Sequence, residues 1–299
     1  MFSNKSPFEK ALIGSIVLHG IGAISLFSFL MVYGFYFFCI LPFLVGLFFY
    51  DLENRLHSIL GMFSGFVIVM AIIAIFNLEG YACLLMATPI FLFSGALGIL
   101  TRWIYFKIIK KSDHENDNNL SAFAVPIVIF LATGLIEKYS LNGNFSVDTV
   151  ETSVVVNALP EEAWQALFEF DTLSGETSGL IKLGLPTPYK ASVDSMAVGA
   201  TRICYFEPGN IVQEITRLEP GRLMEVKVID YQLVGKNWIQ FTKAVYTLHP
   251  VDSKRTEVTR STSYSSQLSP RFYWRTLESL AIDAEHVYVL DNLKRKLEN

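Results

Sequence analysis

The sequence predicts two parts of different class. The first is a bundle of apolar α-helices suited to a bilayer. The second is a water-facing α+β domain in which a curved antiparallel sheet wraps around one long C-terminal helix. Three observations predict this. Residues 11–50 contain no Asp, Glu, Lys or Arg. Five β-rich segments lie between residues 201 and 264, separated by turn dipeptides. Residues 271–297 carry one continuous helical pattern.

Composition agrees with a divided chain. Of 299 residues, 52% are hydrophobic and only 17% charged, against about 25% charged in an average soluble domain. Residues 1–136 hold 7 basic and 7 acidic side chains, and residues 137–299 hold 17 and 21. The acidic second part gathers no basic patch for phosphates, which argues against a nucleic-acid partner. Cys39, Cys83 and Cys204 show no CxxC or Cys/His spacing, so neither a metal site nor a disulfide framework is expected. Cys204 reads as a small buried hydrophobe. No cofactor motif is present.

The membrane region is expected over residues 1–140. Residues 11–50 are too long for a signal-peptide core of about 7–15 residues and long enough for two helices of about 20. Gly34 marks the turn between them, and Pro42 is expected to kink the second. The expected spans are 11–31, 33–50, 56–76, 81–101 and 120–136. Lys5, Lys10, Arg55, Arg102, Lys107, Lys110 and Lys111 fall on one side of five spans. The opposite loops, near Gly34 and at 77–80, have no Lys or Arg. By the positive-inside rule the N-terminus is cytoplasmic and the C-terminal domain extracytoplasmic, periplasmic if this is a bacterial inner membrane. An even span count would reverse the domain. His19 lies near mid-depth of the first span, where an ionisable residue is a functional candidate. With no relay partner in the spans, a neutral His hydrogen-bonded between helices is the plainer reading. Paired glycines (Gly20/Gly22, Gly61/Gly65, Gly95/Gly98) suggest close helix packing. Residues 112–119 read as a solvated polar loop. His114 within it has acidic neighbours, a weak metal pattern.

The soluble domain is expected over residues 141–299, after a linker at 137–150. Thr152–Phe170 reads as a strand (Ser153–Val156), a Pro turn and an amphipathic helix. Pro160 suits the first helical turn, Glu161 and Glu162 favour the positive helix end, and Trp164, Leu167 and Phe168 form one apolar stripe. The Gly/Pro-rich 171–191 is too irregular for a strand. Strands follow at 201–207, 211–217, 222–229, 238–248 and 257–264, a meander. On the terminal helix, Tyr273, Leu277, Leu280, Ala284, Val287 and Tyr288 share one side at 3.6-residue spacing, which leaves His286 off the stripe and exposed.

These segments resemble a known family. A first strand followed by Pro160-Glu-Glu-Ala-Trp164 is similar to the start of the START/polyketide-cyclase (SRPBCC, helix-grip) superfamily. Gly199-Ala-Thr-Arg-Ile-Cys-Tyr-Phe206 with Val212-Gln-Glu-Ile-Thr-Arg-Leu-Glu-Pro220 is similar to its hairpin pattern. Ser269-Pro-Arg-Phe-Tyr-Trp274 opens the last helix as family members do. The resemblance covers about residues 150–299 and implies a helix-grip fold with a ligand cavity, while leaving the reaction open.

Candidate cavity residues are Tyr205, Glu214, Trp238, Tyr246, Arg260, Tyr264, Trp274, Leu277 and Ala284. Val258, Arg260, Thr262 and Tyr264 share one strand face at period two. An inward Arg260 must be paired or line a wet cavity, and Glu214 is one possible partner. No catalytic constellation is visible, and whether the chain is an enzyme stays open. The leading reading is a membrane-anchored domain that binds a lipid or other apolar small molecule. The alternatives are a cyclase/dehydratase-like enzyme using Glu214, or a partner-binding module whose cavity is filled by side chains.

Overall fold

The computed structural model describes residues 5–109, 121–141, 143, 145–168, 173, 179–207, 209–233 and 235–298. The polar loop with His114, the start of the fifth expected span and much of 171–178 lie outside them. The chain forms two compact units, one of apolar helices and one built on the sheet.

The helical unit contains α1 (Pro7–Phe27), α2 (Tyr36–Phe49), α3 (Arg55–Ile75), α4 (Tyr81–Ile104) and α5 (Ser121–Leu141). Helix α1 starts with a capping box. The Glu9 N–H donates to Ser6 Oγ at 3.3 Å, and the Ser6 N–H donates back to Glu9 Oε2 at 2.8 Å, so two orphan donors are satisfied reciprocally. Among the described residues, four helices are long and apolar enough to cross a membrane, and α2 is shorter. Its first turn, Tyr36–Ile40, is π-helical. Pro42 follows at the start of the α-helical part, where its missing N–H interrupts the regular ladder. The last turn of α5 includes Glu137, which places the start of the expected linker inside a helix. Its carboxylate accepts from the Phe35 and Tyr36 N–H groups at 2.7 and 3.2 Å and so caps α2.

Contacts between helices give their directions. Gly61 lies against Phe8 and Ala11, Gly65 against Leu12 and Ser15, and Ala23 against Val69 and Ile73. Helices α1 and α3 are therefore parallel. Phe49 packs on Gly14 and Leu41 on Gly22, so α2 runs back along α1. Gly98 meets Phe43 and Leu47, and Arg102 Nη1 donates to the Leu47 carbonyl at 2.9 Å, so α4 runs with α2. At Gly61, Gly65 and Gly98 a side chain would collide with the neighbouring backbone, and at Gly14 and Gly22 with the packed side chains of Phe49 and Leu41, which is why small residues sit there. Gly20 is different and meets nothing. His19 Nδ1 bonds within its own helix, 2.9 Å from the Ser15 carbonyl. The link to α3 is made by Ser15, whose hydroxyl donates to Met62 O at 2.7 Å.

The second unit is a seven-stranded antiparallel sheet in the order β1-β7-β6-β5-β4-β3-β2. The strands are β1 (Val147–Val156), β2 (Pro188–Val193), β3 (Thr201–Phe206), β4 (Gly209–Glu219), β5 (Leu223–Tyr231), β6 (Ile239–Pro250) and β7 (Thr256–Ser266). Helices α6 (Pro160–Phe168), α7 (Gly179–Lys182) and α8 (Arg271–Glu298) complete it. Strand β2 corrects the expectation that 171–191 holds no strand. It is an edge strand, where the initial Pro188 costs no ladder bond. Register shifts in β4 and β6 bend and twist the sheet. The core joins Val156, Trp164, Leu167, Ile215, Val226, Leu248 and Val258 to Val289, Leu290 and Leu293 of α8.

The buried face of α8 is rotated from the expected one. Tyr288 is buried as expected and Tyr273, Leu277 and Ala284 are half-buried, but Leu280 and Val287 are exposed, whereas Trp274, Glu278, Ile282, His286, Val289 and Leu293 are buried. The polar members are satisfied by the sheet. Ser266 Oγ donates to Glu278 Oε1 at 2.6 Å, and His286 is held between two threonines.

Candidate ligand-binding site

Strand alternation decides which side chains share the inner face. Strand β3 turns Arg202 and Phe206 inward, β4 turns Ile211, Gln213 and Ile215, and β6 turns Ala244, Tyr246 and Leu248. Strand β7 contributes Val258, Arg260, Thr262 and Tyr264. Arg202 is in register with Gln213, and Arg260 with both Thr152 and Tyr246. Two arginines therefore converge on one ring. The Cζ atoms of Arg202 and Arg260 lie 5.7 and 5.6 Å from the centroid of Tyr246.

The two guanidiniums are treated differently. Arg260 makes a fork-to-fork pair with Glu285 of α8, at 3.0 Å (Nη1–Oε1) and 2.9 Å (Nη2–Oε2). Burial works against its charge, but the Glu285 carboxylate outweighs it and holds the guanidinium above its ordinary range. Arg202 is 5% exposed and has no carboxylate partner among the described residues. Its Nη1 donates to Gln213 Oε1 at 2.7 Å and to Cys204 Sγ at 2.9 Å. A desolvated cation–π contact contributes about 2 kcal/mol, whereas taking an ion out of water costs several. The Tyr246 ring alone does not offset that cost.

A second polar layer lies beside this pair. Thr152 Oγ1 donates to Asp283 Oδ1 at 2.5 Å and sits 3.1 Å from His286 Nδ1. Thr262 Oγ1 is 2.8 Å from His286 Nε2. The single Thr152 hydrogen goes to the carboxylate, so Nδ1–H donates to Thr152 and Nε2 accepts from Thr262. Burial, with Arg260 nearby, pushes His286 down to about 2. It is a neutral, fully buried imidazole, which corrects the expectation of an exposed one.

Of the candidate residues, Tyr246, Arg260 and Tyr264 lie on the inner face, and Trp274 is buried on α8. Leu277 and Ala284 are half-buried. Trp238 is half-buried against Val150, Ile239, Tyr264 and Ile282. Two others point elsewhere. Tyr205 is on the outer face beside Tyr189, ring centroids 6.3 Å apart, because β3 turns Arg202 and Phe206 inward. Glu214 is exposed on the outer face of β4, since its neighbours Gln213 and Ile215 take the inner one. It does not pair with Arg260, and the acid–base candidate of the enzyme reading falls outside the interior. Arg202, Gln213, Glu285 and His286 were not among the candidates. Both phases of Arg202–Phe206 contain apolar residues, so alternation by itself does not choose between them.

A bent antiparallel sheet with the first two strands at its two edges and the last strand beside the first, closed by one long C-terminal helix, is decisive for architecture. The C-terminal unit has the helix-grip fold. The resemblance noted in the sequence is thus one of fold.

No family model matches the sequence, and no curated protein matches it. Among solved structures, the helix-grip unit is similar to the Zhui aromatase/cyclase from Streptomyces sp. R1128, with 14% identity over 51% of this chain and 94% of the other and a TM-score of 0.37. It is similar to truncated norcoclaurine synthase from Thalictrum flavum, with 14% identity over 50% and 93% and a TM-score of 0.36. A START superfamily protein from Mycobacterium smegmatis shares 10% identity over 50% and 97%, with a TM-score of 0.37. The fold assignment rests on strand order and the terminal helix.

Proposed function

We propose that this chain is a membrane-anchored helix-grip domain that binds an amphiphilic small molecule, a lipid or another largely apolar compound, between its sheet and terminal helix. The observation that carries this reading is the convergence of two shielded arginines on Tyr246 with a carboxylate paired to only one of them, Arg260. A desolvated arginine without a carboxylate of its own, next to an apolar core, is an expensive feature for a purely structural interior. A domain tethered beside a bilayer also meets lipids at high effective concentration.

The helix directions support five passes. Parallel α1 and α3 require the intervening segment to return across the layer, and α2 does so alongside α1. At about 1.5 Å per residue its helix is shorter than a bilayer core of about 30 Å, with the flanking residues completing the passage. Helices α2 and α4 run one way and α1 and α3 the other, and the C-terminal end of α5 meets the start of α2. With five passes, as proposed, the N-terminus and the segment that follows α5 would fall on opposite sides. The distribution of Lys and Arg then favours a domain outside the cytoplasm.

Two experiments test the reading. Mass spectrometry of the full chain purified in detergent, against a mock purification, is expected to find one amphiphile at near-stoichiometric level. Finding none, even after incubation with a total lipid extract, would favour a partner-binding module. For sidedness, alkaline phosphatase fused after Asn299 is expected to be active in a bacterial host and inactive when fused within residues 51–54. The reverse pattern would place the domain in the cytoplasm.

A further inference from the structure

We infer that Arg202 is the seat for a single anionic head group, carboxylate or phosphate, on the bound amphiphile. This deepens the proposed function and rests on it. The hydrogen bonds of the Arg202 guanidinium to Gln213 and Cys204 both leave from Nη1, and its remaining side-chain hydrogen-bond neighbour is the phenol of Tyr246. Its Nε and Nη2 edge, the side that grips a carboxylate or phosphate with two parallel bonds, has no anionic partner among the described residues, although the residue is only 5% exposed. Arg260 repeats the pattern in weaker form. Its outer nitrogens are taken by Glu285, and its Nε is buried without a partner. Of the two guanidiniums beside Tyr246, Arg260 is paired with Glu285 and Arg202 has no carboxylate of its own among the described residues, the next carboxylate, Asp283, being engaged by Thr152 in the adjacent layer.

The surroundings define the rest of the molecule. Arg202 lies in register with Val193 on β2 and Gln213 on β4, and Gln213 is in register with Val228. Met224, Val226 and Ile215 continue the same inner face. A ligand whose charge reaches Arg202 must set an apolar body against these side chains. The seat therefore selects one negative charge on an otherwise hydrophobic compound, and discriminates against a neutral alcohol or ester of the same shape. Gln213 holds Nη1, away from the edge that would meet the head group, and supplies no charge of its own.

The test uses the full chain in detergent and radiolabelled oleate as the probe, competed by oleyl phosphate and by oleyl alcohol. Oleate is expected to bind, with the alcohol at least ten-fold weaker as a competitor. Oleyl phosphate competing more strongly than unlabelled oleate points to phosphate as the natural head, and the reverse points to carboxylate. Either result supports the seat. Equal competition by the alcohol overturns the anion assignment and leaves the proposed function standing. Absence of binding by all three, with nothing co-purifying, overturns both. Arg202→Met should weaken oleate at least ten-fold while sparing the alcohol. Because that variant risks misfolding, Gln213→Glu is the second arm. It places a permanent carboxylate at the position now 2.7 Å from Arg202 Nη1. A raised melting temperature with at least ten-fold loss of oleate binding supports the seat. A raised melting temperature with unchanged binding overturns it and makes Arg202 a structural cation.

Discussion

Replacing Glu285 by Gln is expected to lower the thermal midpoint of the helix-grip domain by about 10 °C. The substitution keeps the shape and removes the only carboxylate paired with the two inner-face arginines among the described residues. Both side chains of the pair are shielded, at 13% and 15% exposure, so solvent does little to screen the orphaned charge. Breaking a buried pair by deleting one partner costs about 3–5 kcal/mol. For a domain of this size each kcal/mol moves the midpoint by roughly 2–4 °C. The unfolding of the full chain can be followed by tryptophan fluorescence, since Trp164, Trp238 and Trp274 lie in this domain. Arg260→Met in the Glu285→Gln background should recover part of the loss, because it removes the stranded cation. A shift under about 2 °C for Glu285→Gln would show that the pair contributes no more than a surface ion pair.

The second large effect is acid sensitivity centred on His286. Its folded-state value of about 2 lies below the ordinary 6.5. Between those values the unfolded chain takes up a proton that the folded chain refuses. The contribution of His286 is therefore complete above about pH 6.5 and is lost as pH falls toward about 2, by roughly 1 kcal/mol per unit. At pH 4.5 the domain should be about 2 kcal/mol less stable than at pH 7 on this account. The groups facing the ring are Thr152, Thr262 and Arg260, with Asp283 behind Thr152. His286→Gln removes the titration, so its stability should depend less on pH across this window, whatever its stability at pH 7. Equal slopes for the two proteins would mean that the folded domain accepts the proton.

Much of the fold is legible in the residues, and the limits follow from particular positions. The apolar run at 11–50 and the turn at Gly34 fix two helices, since a charge-free stretch of that length has few other uses. Turn residues such as Pro220-Gly221 separate strands whose composition is plain. Strand β2 was hidden because Pro188 and its Gly-rich approach read as loop, and only an edge position tolerates them. Helix α8 was legible as a helix but was assigned the wrong face. Hydrophobic periodicity scores Glu278 and His286 as surface residues, and it has no means of knowing that Ser266, Thr152 and Thr262 satisfy them.

The sequence by itself determined the division into an apolar helical part and an α+β part, the order of most elements, and that Arg260 shares a strand face with Val258 and Tyr264. These depend on local composition and on the periods of helix and strand. Only the tertiary structure decided the interior chemistry: Glu285 rather than Glu214 beside Arg260, Arg202 rather than Tyr205 on the inner face, and a neutral His286 between two threonines. The reason is energetic. A buried polar group is tolerable only with its partner, and each of these partners comes from another strand or from the terminal helix, where neighbouring residues in the sequence carry no trace of it.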